Sequence, residues 1–150
     1  MKLAEALVQR ADLQKRIEQM KARLKNNAWV QEGEQPAEDP EELVRELSAL
    51  TGQLEELVTR INLTNAAPTE SGATLTALLA RRDALTVYTA AMRDFLNEAS
   101  STPVRAARNE IKILPTVNVK EYRKKADDLS RELRELDLRI QALNWTTELK

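Results

Sequence analysis

The chain contains neither cysteine nor histidine. Without thiols there can be no disulfide, cysteine nucleophile, iron-sulfur cluster or Cys-type zinc site. Without imidazole, the usual general base near neutral pH is gone, along with the Glu-x-x-His ligands that ferritin-like bundles use to hold two irons. Aromatics make up 3% of the 150 residues and glycine occurs three times, a balance that favours helices over strands. No apolar run approaches the ~20 residues needed to span a bilayer. The opening Met1-Lys2-Leu3-Ala4-Glu5-Ala6-Leu7-Val8-Gln9-Arg10 has charges at both ends of a short apolar stretch, unlike a signal peptide. The expectation is a soluble cytoplasmic protein with no cofactor, no metal site and no membrane partner.

Hydrophobic residues account for 42% of the chain and charged residues for 31%, in a length suited to a single domain, residues 1–150, that buries ~70% of its unfolded surface. The pattern predicts an all-α fold of four long antiparallel helices in a bundle or coiled-coil-like arrangement. The first helix spans about Lys2 to Lys25, with Leu3, Leu13, Ile17, Met20 and Leu24 on one stripe that Arg10 interrupts. Asn26, Asn27, Gly33 and Pro36 break it, leaving Trp29 and Val30 in a loop. Asp39 then caps a second helix, with Pro40 at its first position and Glu41 and Glu42 at its positive end. Leu43, Leu47, Leu50, Leu54, Leu57 and Ile61 follow at four-three spacing, as a helix seam requires.

Turn chemistry from Asn62 to Gly72 ends that helix, and Thr74 or Thr76 opens a third reaching Ala99. Its stripe is Leu75, Leu78, Arg82, Leu85, Thr89, Met92, Leu96 and Ala99, widened by Tyr88 and Phe95. Ser100 to Val119 is a long connection, in which Ile111, Ile113, Val117 and Val119 around Pro115 suggest a short strand that docks. Asn118 with Glu121 forms a capping box for the last helix. That helix carries Tyr122, Ala126, Leu129, Leu133, Leu136, Ile140 and Leu143 and stops near Asn144-Trp145.

Several stretches together resemble a small family of all-helical bacterial proteins that carry the label septicolysin. The matching residues include Arg10-Ala11-Asp12-Leu13, Val30-Gln31-Glu32-Gly33, Glu38-Asp39-Pro40, Arg60-Ile61-Asn62, Thr74-Leu75-Thr76, Arg82-Asp83, Thr116-Val117-Asn118-Val119 and Asn144-Trp145. The resemblance implies an all-helical protein of unknown function and supplies no catalytic residues. The label suggests a pore-forming toxin, for which this chain lacks the size, the β-rich composition and a Trp-rich inserting segment.

Charge is segregated although the formal net is -1. From Glu32 to Glu56 there are nine acids and one base, Arg45. From Arg105 to Lys125 there are seven bases and two acids. These are either solvated faces or complementary surfaces that pair within the fold or between subunits. Arg105, Arg108, Lys112, Lys120, Arg123 and Lys124 form the candidate assembly region. Arg105 and Arg108 also suit phosphates, but a near-neutral chain with few aromatics lacks the footprint of nucleic-acid binding.

A helical nucleotide pyrophosphohydrolase needs no His or Cys, but its Glu-Glu-x-x-Glu signature fails here at the third acid, after Glu41-Glu42 and again after Glu55-Glu56. A Walker-type glycine loop is absent. Counting seven residues inward from Leu3, Leu75, Asn62 and Asn144 gives Arg10, Arg82, Glu55 and Asp137, a candidate charged layer. With Asn62, Asn65 and Asn144 it becomes a candidate pocket for a small anion, since a buried guanidinium needs a partner. The function expected first is a self-associating structural or interaction module, a homo-oligomer. The alternative is a small-anion-binding protein or a carboxylate-and-arginine enzyme.

Overall fold

In a computed structural model, which describes residues 1–101 and 112–150, the chain is all-α: α1 (Leu3–Asn26), α2 (Pro40–Ala66), α3 (Leu75–Ser100) and α4 (Val119–Thr146). It divides into two compact units, one formed by Met1–Gly72 with Ala142–Lys150, the other by Ala73–Gln141.

In the first unit α1 packs on α2. Their buried apolar residues recur every seven positions, Ala6, Leu13 and Met20 on α1 and Leu43, Leu50 and Leu57 on α2, the interval at which a helix face returns to its neighbour. Leu13 and Leu57 line one cavity, while Arg23 reaches Glu46, so the two helices run antiparallel. Each start has a local cause. Glu5 accepts a hydrogen bond from the Lys2 backbone N–H at 2.7 Å, and the Asp39 carboxylate accepts from the Glu41 N–H at 3.0 Å. Both satisfy donors that the helix itself cannot.

Residues 62–65, read above as a turn, continue α2 to Ala66. The reason is tertiary. Thr64 is buried, its hydroxyl donates to the Arg60 carbonyl at 2.8 Å and accepts from the Lys150 N–H at 3.0 Å. The chain's last residues lie along the start of α1 as an antiparallel bridge, Lys2 with Glu148. There the Leu3 N–H donates to the Thr147 carbonyl and the Leu149 N–H to the Met1 carbonyl, both at 2.9 Å. Lys2 and Glu148 also form an ion pair, and its hydrogen bond holds the Glu148 carboxyl below the usual carboxylate range.

In the second unit α3 and α4 also run antiparallel, because as residue number rises along α3 its α4 partner falls. Arg81 pairs with Glu132, Arg93 donates to Ser130 at 2.8 Å, and the Phe95 ring meets Tyr122 edge to face at 5.9 Å. Thr74 caps α3 by accepting from the Ala77 N–H at 3.1 Å. Asn118 caps α4 by accepting from Lys120 and Glu121 at 3.1 and 3.3 Å. Between the two helices, residues 112–115 form no strand, and Ile113 and Leu114 are exposed. Pro115 offers no N–H to a ladder, so the docking strand expected around it does not form among the described residues. Val117 is half-buried, and Ile111 lies outside the described residues.

Candidate functional site

The hinge between α1 and α2 is held by three side chains. Arg23 donates to Glu38 through its Nε at 3.1 Å. The Asn27 amide donates to the Arg23 carbonyl at 2.9 Å and accepts from the Glu38 N–H at 2.9 Å, which satisfies a buried amide in a loop. The Arg23 hydrogen bond, more than its charge, holds the Glu38 carboxyl below its usual 4.5. A carboxylate whose pKa is lowered by folding stabilises the fold above its unfolded pKa, and that contribution is lost as pH falls through the folded value. The expected result is that wild-type protein loses more thermal stability than Glu38→Gln as the pH is lowered below 4.5. Parallel melting curves for the two proteins across that range would refute this role.

Of the expected charged layer, Arg10 and Glu55 form no ion pair with each other within the first unit, and Arg82 and Asp137 none with each other within the second, among the described residues. Arg10, on α1, is half-buried, and its Nε is buried without a hydrogen-bond partner among the described residues. Glu55 is exposed on α2 and Asp137 is half-buried on α4. Arg82 is ion-paired, but with its neighbour Asp83 at 2.8 Å rather than with Asp137. Sequence adjacency brings that carboxylate within reach with no ordering of a second helix, so the local partner prevails. Asn62 is exposed, while Asn65 and Asn144 are half-buried. The orphan Nε of Arg10 is the one member of this set with an unmet need that an anion would fill.

Of the assembly region, Arg105 and Arg108 lie outside the described residues. Lys112, Lys120, Arg123 and Lys124 are all exposed, and none of them enters an ion pair among the described residues. Lys125 sits over the Tyr122 ring at 4.5 Å.

The stripe reading of α3 missed a second apolar face. Leu75, Leu78 and Thr89 are buried and Leu85, Met92 and Leu96 half-buried, whereas Ala77, Ala80, Ala84, Val87, Tyr88, Ala91 and Phe95 are exposed. At 100° per residue these seven fall within about 100° of one another. Tyr88 therefore belongs to an outward stripe instead of widening the packed one, whereas Phe95 borders both faces, widening the packed one through its contact with Tyr122 of α4; Val87 and Tyr88 remain 70% and 54% exposed. Scattered exposed apolar residues are ordinary; these line up along one face of the helix. The signal was present in the sequence as an unbroken apolar spacing from Ala77 to Phe95.

Two pockets show what the surface offers to small molecules. One, of about 210 Å³ in the first unit, is lined by Gln9, Leu13, Gln53, Glu56, Leu57 and Arg60, though Arg60 already donates to the Lys150 carbonyl at 2.7 Å. The other, of about 250 Å³ in the second unit, is lined by Arg81, Glu132, Glu135, Leu136 and Arg139, and its Arg81 and Glu132 neutralise each other. Among the described residues no group of carboxylates is placed to hold a metal ion, and no helix is long and apolar enough to cross a membrane.

A protein of Corynebacterium diphtheriae whose crystal structure is described as that of a functionally unknown conserved protein is 44% identical to this chain. The likeness covers 100% of this chain and 99% of that one, with a TM-score of 0.83. No curated protein matches the chain. Residues 10–149 match the family DUF6847, described as a family of unknown function; septicolysin is named in neither description, so the resemblance holds only at the level of a helical family of unknown function. The chain belongs to the DUF6847 family.

Proposed function

We propose that this protein is a cytoplasmic self-associating helical module whose role is structural or interactive rather than catalytic. The observation that carries this reading is the outward apolar stripe of α3, from Ala77 to Phe95. Its small residues allow a second helix to approach closely, and Val87 and Tyr88 provide the larger contacts that dominate interface energetics. A helix with a second, exposed apolar face offers that face to an external surface. The carboxylate-and-arginine enzyme of the alternative finds no support, since its acidic signature is broken and the carboxylates of the described residues form no metal-holding group. The small-anion alternative rests on the Arg10 Nε alone.

The test is the double variant Val87→Glu with Tyr88→Glu, which places charge in the middle of the stripe without touching the packed face. Light scattering should show the wild type as an oligomer and the variant as a monomer of unchanged helicity. Leu138→Glu, at an exposed apolar site of α4, should leave the mass of the assembly unchanged. A wild type that is monomeric at all concentrations, or a double variant with the wild-type mass, would overturn the reading.

A further inference from the structure

The α3 stripe is about 27 Å long and one helix wide, so it offers only ~300 Å² per partner. A stable interface buries ~800 Å² per partner, so a self-associating chain needs a second contact. One surface in the first unit has the exposure and the chemistry to supply it. Trp29 is 91% exposed in the loop joining α1 to α2. With Val30, Glu34 and Pro36 it lines an open groove of about 450 Å³. Glu32 and Glu34 on the loop and Glu41 on the first turn of α2 are exposed and enter no ion pair among the described residues.

An exposed indole attracts a cation more strongly than any other side-chain face. A surrounding group of unneutralised carboxylates adds long-range attraction of the same sign. Together they select a segment rich in lysine and arginine over an apolar or acidic one. The chain itself provides such a segment at the start of α4, where Lys120, Arg123 and Lys124 are exposed and unpaired among the described residues. Lys125 is already engaged with Tyr122.

We infer that the Trp29 groove and its acidic rim receive the basic first turns of α4 from a second copy of this chain. The inference rests on the self-association reading and specifies its partner surface. In a two-fold pair the contact is made twice, acidic loop on basic helix in each direction.

Two full-length variants test it. One carries Glu32→Lys, Glu34→Lys and Glu41→Lys; the other carries Lys120→Glu, Arg123→Glu and Lys124→Glu. Both are made in a Trp145→Phe background so that Trp29 is the sole indole. Sedimentation equilibrium at low salt should show association weakened about tenfold or more in each variant alone and largely restored in their equimolar mixture, because opposite charges again meet. Trp29 emission should shift to the blue as wild-type protein, or the mixture, associates. High salt should weaken wild-type association. If both variants assemble as tightly as the wild type, or if the mixture is no tighter than its components, the inference fails while the α3 reading stands. A wild type that never associates removes both.

Discussion

Replacing Leu149 with aspartate is expected to lower the thermal midpoint by about 6–20 °C. Leu149 is buried although it lies one residue from the end of the described chain, and its N–H donates to the Met1 carbonyl at 2.9 Å. Around it, the Lys2 and Glu148 bridge, the Thr64 hydroxyl and Arg60 tie the tail to the start of α1 and the end of α2. A carboxylate at this position loses the leucine's apolar burial and adds an unpaired charge, for a cost of about 3–5 kcal/mol. At this chain length each kcal/mol moves the midpoint by about 2–4 °C. Leu149→Met, which preserves volume, should cost less than ~1.5 kcal/mol. Equal melting temperatures for the Asp and Met variants would mean that the tail does not hold the first unit together.

Ile61→Ala is the second large effect expected. Ile61 is 2% exposed at the point where the α2 seam passes under the tail. Removing its three outer carbons leaves a cavity as well as a lost transfer energy, about 2–5 kcal/mol in all. Leu63, two residues on, is 58% exposed, and Leu63→Ala should fall within ~0.5 kcal/mol of wild type. Urea denaturation of the two variants distinguishes them, and comparable midpoint shifts would mean that the helical register from Ile61 through Thr64 is wrong.

These two sites also show where a reading of the sequence stops. Ile61 was legible, because it ends a four-three series that begins at Leu43 and leaves one face for packing. Leu63, Thr64 and Asn65 were not, because Asn and Thr compete locally with the helix and read as a turn. What keeps them helical is the Lys150 N–H bound to the Thr64 hydroxyl, a partner 86 residues away. The bridge of Lys2 with Glu148 was invisible for the same reason. A single paired residue has no alternation to detect.

Within each unit, the pairs expected of the charged layer are missing among the described residues for a related reason. Counting along seams placed Arg10, Glu55, Arg82 and Asp137 at matching heights, but height along a helix does not fix which face a long side chain uses. Arg82 found Asp83 beside it, and the Nε of Arg10 found no partner among the described residues.

By itself the sequence determined what depends on neighbouring residues: four helices from their 3.6-residue periodicity, and starts at Asp39, at Thr74 or Thr76, and at Asn118 from short side chains that meet free N–H groups within three residues, the structure then placing the third at Thr74. It also determined the chemistry that is absent, since a missing cysteine or histidine cannot be supplied by folding. Only the tertiary structure decided which apolar stripe of α3 is covered, because periodicity marks two faces alike and only the packing of Arg81, Arg93 and Phe95 against α4 assigns one of them. It likewise decided that Thr64 belongs to a helix and that the chain's last residues form a bridge. Those states depend on hydrogen bonds between residues far apart in sequence, whose energies appear only once the backbone has brought them together.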